Sequence, residues 1–140
     1  MSATEAGVLE LTAVRARAAA ALEPVTDTDP QVLVDLVDAL HPPCLMLDWD
    51  DPWLTPGLQA QRVMGPCVWE ASLSVLCVAG RVEPGPGVAT LEELVTYTID
   101  RFKFDPYPWP VATAQSPRRF DIGGVTYLGA RVGYRVPVTI

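Results

Sequence analysis

Apolar and polar residues alternate most strictly over residues 66–79, PCVWEASLSVLCVA. Cys67, Trp69, Ala71, Leu73, Val75 and Cys77 fall on one side; Val68, Glu70, Ser72, Ser74, Leu76 and Val78 fall on the other. A period of two predicts a strand. The first side reads as core and the second, polar at its centre, as the wetter face of an antiparallel sheet. The same period governs the end of the chain. Phe120 and Ile122 precede Gly123-Gly124, after which Val132, Tyr134, Val136, Val138 and Ile140 share one side and Arg131, Gly133, Arg135 and Thr139 the other. Two strand-forming runs around a Gly-Gly turn predict a β-hairpin.

Elsewhere the spacing is helical. Leu11, Val14, Ala18 and Leu22 predict a helix over residues 2–22, with Ser2 and Glu5 at capping-box spacing and Pro24 as its stop. Thr90 and Glu93 repeat that spacing before Leu91, Leu94, Val95 and Phe102, which predicts a second amphipathic helix reaching residue 103. Residues 29–40 fit two templates. Val32, Val34 and Leu36 alternate like a strand, but the pattern ends badly at Asp38. Val32, Leu33, Leu36, Val37 and Leu40 form a stripe behind Asp29-Pro30, so a short helix is the preferred reading, ending before Pro42. PPCLMLDW reads as a strand, residues 49–65 as a long loop holding Trp49 and Trp53, GRVEPGPGV as a break, and FKFDPYPWPVATAQSP as a second aromatic-rich loop. The order α, short α, β, loop, long β, α, loop, β, β predicts one α+β domain over 1–140. Its mostly antiparallel sheet is expected to carry helices on one face and to end in a C-terminal hairpin.

Composition narrows the function classes. The chain is 49% hydrophobic, which suits a packed domain, and no apolar run approaches the ~20 residues that span a bilayer. The first residues do not follow the basic-then-apolar order of a secretory leader, so a soluble cytoplasmic product with no membrane partner is expected. Net charge is −7, with nine Arg and Lys103 as the cations. Such a balance argues against tight binding of a phosphate backbone, while leaving room for an acidic wall that DNA slides past. Cys67 and Cys77 on one strand would lie roughly 33 Å apart and cannot bridge. With Cys44 they read as free buried thiols, and with His41 as the lone histidine no zinc spacing exists.

The best catalytic candidate is LDWDDP, where Asp48, Asp50 and Asp51 could bind a divalent cation or act as acid and base. Equally, they are a solvated strand end, and the EF-hand pattern is missing. G-x-S-x-G, the Walker loop and G-x-G-x-x-G are also missing, and His41 has no nucleophile in a recognisable frame. No catalytic residue, metal site or cofactor is assigned. Arg118, Arg119, Arg131 and Arg135 are either a solvated strand face or a patch that meets acids of an adjacent subunit. Trp53, Tyr107 and Trp109 are either covers for the core or interface anchors.

In order, AVRARAAAAL, PPCLMLDW, CVWEASLSVLCVAGR, TLEELVTYTIDRF and GGVTYLGARVGYRVPV resemble the layout of tail terminator proteins of long-tailed bacteriophages, especially those infecting actinobacteria. The resemblance covers most of the chain and includes no catalytic signature. It implies a non-enzymatic virion structural protein at the tail–head junction, assembled in the host cytoplasm. Six copies would form a ring that caps the tail tube, ends its polymerisation and meets the head-completion or connector proteins. DNA would pass through the lumen without specific binding. The terminal strands and the 49–65 loop would then supply ring and tube contacts. Arg118, Arg119, Arg131, Arg135, Trp53, Tyr107 and Trp109 are the candidate interface residues from the reading of the residues, and none is carried over from the family. A different head–tail connector or tail-completion protein, a small monomeric adaptor with a ligand pocket, and a metal-dependent enzyme built on the three aspartates are the competing readings.

Overall fold

The computed structural model describes residues 8–26, 28–34, 42–56, 69–82, 87–110 and 112–140. Ser2, Glu5, residues 35–41 with His41, residues 57–68 with Cys67, and residues 83–86 lie outside them. The fold is α+β, with two α-helices and, among the described residues, one seven-stranded, mostly antiparallel sheet. The strands are β1 (Leu9–Glu10), β2 (Gln31–Leu33), β3 (Cys44–Pro56), β4 (Trp69–Arg81), β5 (Ala112–Ala114), β6 (Arg118–Ile122) and β7 (Val125–Thr139); the helices are α1 (Val14–Leu22) and α2 (Val88–Lys103).

β4 and β7 form the spine, paired antiparallel from Trp69 opposite Val138 to Arg81 opposite Tyr127. β3 flanks β4, and β2 runs parallel to the start of β3. Along its other edge β7 receives β6, β5 and β1 in succession. Gly123 and Gly124 turn β6 into β7 with φ of 59° and 81°, the left-handed conformation that a two-residue hairpin requires.

Period-two patterning sets the two sides of this sheet. Leu45, Leu47, Ala71, Leu73, Val75, Cys77, Val132, Val136 and Val138 are buried on one face, beneath Val14, Ala18 and Leu22 of α1 and Leu91, Leu94 and Phe102 of α2. Both helices therefore cover the same face, as the apolar alternation predicts. Arg101 ties them together by donating to the Ala21 and Glu23 carbonyls at 3.1 and 2.7 Å, which satisfies groups left open at the end of α1. Tyr97 donates to the Leu22 carbonyl at 3.0 Å.

Four local expectations are corrected. The first helix begins at Val14; Leu9–Glu10 instead pairs parallel with Val138 and Thr139, and Leu11–Ala13 forms a 3-10 turn. Residues 31–33, expected to be helical, form β2, because the ladder to Cys44, Leu45 and Met46 satisfies their backbone while Val32 and Leu33 pack on the sheet. Residues 49–56, expected as loop, continue β3 through a register shift between Trp49 and Leu54. At α2 the Thr90–Glu93 box does not form. Gly87 is the N-cap, with no side-chain cap bond, and the Thr90 amide donates to the Gly87 carbonyl at 3.2 Å.

Candidate functional site

Opposite the helices, the sheet presents a face made of odd-numbered residues of β7, even-numbered residues of β4 and even-numbered residues of β3 as far as Asp48, after which the register shift brings Thr55 to it. It changes character along its length. At the hairpin end it is apolar: Cys44, Met46, Leu76, Val78 and Tyr127 are buried together, with Leu33, Phe120, Ile122 and Val125 packed against them. The hairpin thus builds a second, smaller core that the alternation of residues 66–79 does not reveal.

The middle of the face is held by Arg131. Its Nη1 donates to Ser74 Oγ at 3.0 Å and lies 3.4 Å from Asp48 Oδ2, and its guanidinium sits 5.4 Å from the centre of the Phe120 ring. Ser74 is fully buried, and the Arg131 and Asp48 side chains are 24% and 29% exposed. Asp48 Oδ1 also accepts the Trp49 amide at 2.8 Å. Arg131 is therefore engaged within its own chain, bracing β3, β4 and the hairpin, and does not stand in a free cationic patch.

The far end is an open depression of about 710 Å³, lined among others by Asp50, Asp51, Glu70, Ser72, Thr113 and Arg135. The β3 register shift creates it. Between Trp49, opposite Leu73, and Leu54, opposite Ala71, β3 has more residues than β4. The excess is expelled from the ladder, a bulge that re-aims side chains, and Asp50 and Asp51 go to the depression. Trp53, in the same excess, is 45% exposed and tilts against Trp49 at 5.6 Å between ring centres. Asp48 and Asp50–Asp51 are thus divided between two environments, the brace and the depression. Among the described residues, no group of three or more His, Cys, Asp or Glu side chains could hold a metal ion.

The remaining candidate residues are dispersed. Arg118 and Arg119 are exposed on β6, opposite Gly129 and Leu128, so they project from opposite sides of the strand. Arg135 is exposed at the depression. Tyr107 is buried and Trp109 half-buried on the helix face, where Phe102, Trp109 and Tyr134 stack with centres 4.3 to 6.1 Å apart and Tyr107 meets Trp109 at 4.8 Å. Asp105 Oδ2 organises this cluster, accepting Trp109 Nε1 at 2.9 Å and the Tyr107 amide at 3.2 Å while pairing with Arg17 of α1 at 3.3 Å. Of the three aromatic candidates, Trp53 alone offers a largely exposed ring.

Burial pushes the Cys44 and Cys77 thiols up to about 11 and the Tyr107 phenol up to about 12; Tyr134 is also raised by burial. Near neutral pH both thiols are protonated and poor nucleophiles. Alternation places Arg131 and Arg135 on one side, but the carboxylates that face them come from β3, and only the cross-strand register reveals them. In comparison with known proteins, no family model and no curated protein matches the chain. No helix among the described residues is long and apolar enough to cross a membrane.

Proposed function

We propose that this chain is a non-enzymatic structural subunit of a bacteriophage virion, a tail terminator. It forms a ring, of six copies, that caps the tail tube, ends tube polymerisation and joins the tail to the head-completion proteins. The observation that carries the reading is the asymmetry of the sheet. Two helices cover one face, whereas the opposite face ends in a broad charged depression lined by Asp50, Asp51, Glu70 and the exposed Arg135. A surface of this kind suits contact with another protein more than capture of a small molecule, because ligand pockets are mostly apolar and enclosing. The order of sequence segments, which resembles that of tail terminator proteins, supports the family reading. The acidic balance, −7 over the chain, suits a lumen through which DNA passes without being held.

Negative-stain electron microscopy of the purified chain, alone and mixed with the cognate tail-tube protein, tests the reading. Rings, or tubes capped at one end, are expected. A monomer that ignores tube ends would overturn it and favour the adaptor reading.

A further inference from the structure

Four residues of β3, Asp50–Trp53, stand against a single residue of β4. Trp49 lies opposite Leu73 and Leu54 opposite Ala71, so Ser72 alone faces the segment between them. A glycine two strands away shows where the excess goes. Asp48, Ser74, Gly133 and Thr113 form one cross-strand row over β3, β4, β7 and β5. A Cβ at Gly133 would stand 3.2 Å from Thr113 Oγ1 and 3.6 Å from Asp50 Oδ2. With β4 between them, β3 and β7 are about 10 Å apart at ordinary strand spacing. An aspartate still in the β3 ladder is too short to cross that distance. The excess therefore leans over β4 and sets the Asp50 carboxylate above Gly133, and the missing side chain is the clearance that this close approach uses.

We propose that Asp50–Trp53 is a strap that docks over Gly133 and lifts as a unit. Docked, it walls the depression and keeps Trp53 against Trp49, with ring centres 5.6 Å apart. Lifted, it widens the access to Ser72, Gly133 and Thr113 and frees the Trp53 ring, which already shows 45% of its surface. The strap belongs to a single copy and does not depend on assembly. Two features make this segment the part of the sheet that moves. First, it is weakly tied. The ladder lapses across it, and Asp51, Pro52 and Trp53 are exposed. Apart from the stack on Trp49, none of its side chains forms an ion pair or hydrogen bond among the described residues. Second, its ends are held. Asp48 is fixed by Arg131 and by the Trp49 amide, and Leu54 packs on the main core. Local opening draws on segments of this kind, because few buried contacts have to break while the flanking ladder stays intact.

Hydrogen exchange of the full chain, followed by NMR, tests the strap with two variants. Gly133→Val places γ-methyls in the space that Asp50 and Thr113 occupy, and Asp50→Ala removes the docked carboxylate. Each is expected to speed exchange of the Asp51 and Trp53 amides at least about tenfold, while Val75 and Val132 in the spine keep wild-type rates. The Trp53 indole signal, assigned with Trp53→Phe, should shift in both variants. The double variant should exchange no faster than the faster single one, because both changes break one contact. Circular dichroism and the melting temperature report the fold. Valine suits a central strand better than glycine does, so without a docked strap Gly133→Val would leave residues 50–53 untouched. Wild-type exchange of Asp51 and Trp53 at free-peptide rates would overturn the strap. So would single-variant rates equal to wild type, or effects that multiply in the double variant. Asp50→Ala, at a half-buried surface position, keeps the test decisive should Gly133→Val fail to fold.

Discussion

Replacing Arg131 with alanine should destabilise the monomer rather than merely discharge its surface. Three interactions are lost together. The hydrogen bond to buried Ser74 has a charged donor and is worth about 1.5–2 kcal/mol, including the cost of leaving that hydroxyl unmatched. The ion pair with Asp48 lies between half-buried groups at 3.4 Å and contributes about 0.5–1 kcal/mol after solvent screening. Stacking over Phe120 adds about 0.5–1 kcal/mol. Together the loss is about 3 kcal/mol, a large share of the roughly 5–15 kcal/mol that holds a domain folded. Arg135→Ala, at an exposed position, should cost within about 0.5 kcal/mol. Urea unfolding followed by tryptophan fluorescence gives both values, read from the midpoint at unchanged slope. A cycle with Asp48→Ala should return a coupling above about 0.5 kcal/mol, as expected for residues in contact. Equal midpoint shifts for Arg131→Ala and Arg135→Ala would refute the intrachain role of Arg131.

Further outcomes follow from packing and burial. At Gly129 an added Cβ would stand 2.8 Å from the Cys77 carbonyl oxygen and 3.2 Å from the Phe120 ring, so Gly129→Ala should destabilise by about 1–3 kcal/mol in the same urea assay. The Tyr134 hydroxyl is buried without a hydrogen-bond partner among the described residues, so Tyr134→Phe should leave the melting temperature unchanged or raise it, whereas a clear fall would reveal a missing partner. The contribution of Cys77 to stability should be full below pH 9 and decline as pH rises towards 11. The folded state holds Cys77 near 11 against an ordinary 9.0, so above pH 9 the unfolded chain loses that proton first. For Cys77, which is fully buried, the loss is about 2–3 kcal/mol, measurable by urea titrations across that range and reduced in Cys77→Ala.

The sequence conveyed the parts of this fold that depend on local periodicity. Residues 71–77 and 132–138 alternate over enough positions to fix their faces, and the stripe Leu91, Leu94 and Phe102 specifies α2. Short segments are different. Val32 and Leu33 satisfy strand and helix templates alike, and pairing with Cys44–Met46, distant in sequence, decides between them. At residues 50–53 the bulge breaks the alternation, and two aspartates with a proline look like a chain leaving a sheet, although the strand resumes at Leu54. The same limit governs the site. The arginine spacing on β7 was legible, but Arg131 and Arg135 differ because of what lies across from them: Asp48 and Ser74 for one, an open depression for the other. Tyr107 and Trp109 look like surface aromatics among prolines, yet Asp105 and Phe102 draw them onto the core.

The central claim, that this chain ends tube growth, is tested most directly by following polymerisation of the cognate tail-tube protein, by light scattering and electron microscopy, as the chain is added in rising proportion. The account predicts that elongation stops at substoichiometric ratios and that mean tube length falls as the number of capped ends rises. Tubes that lengthen at the same rate, with bare ends, at every ratio would contradict it.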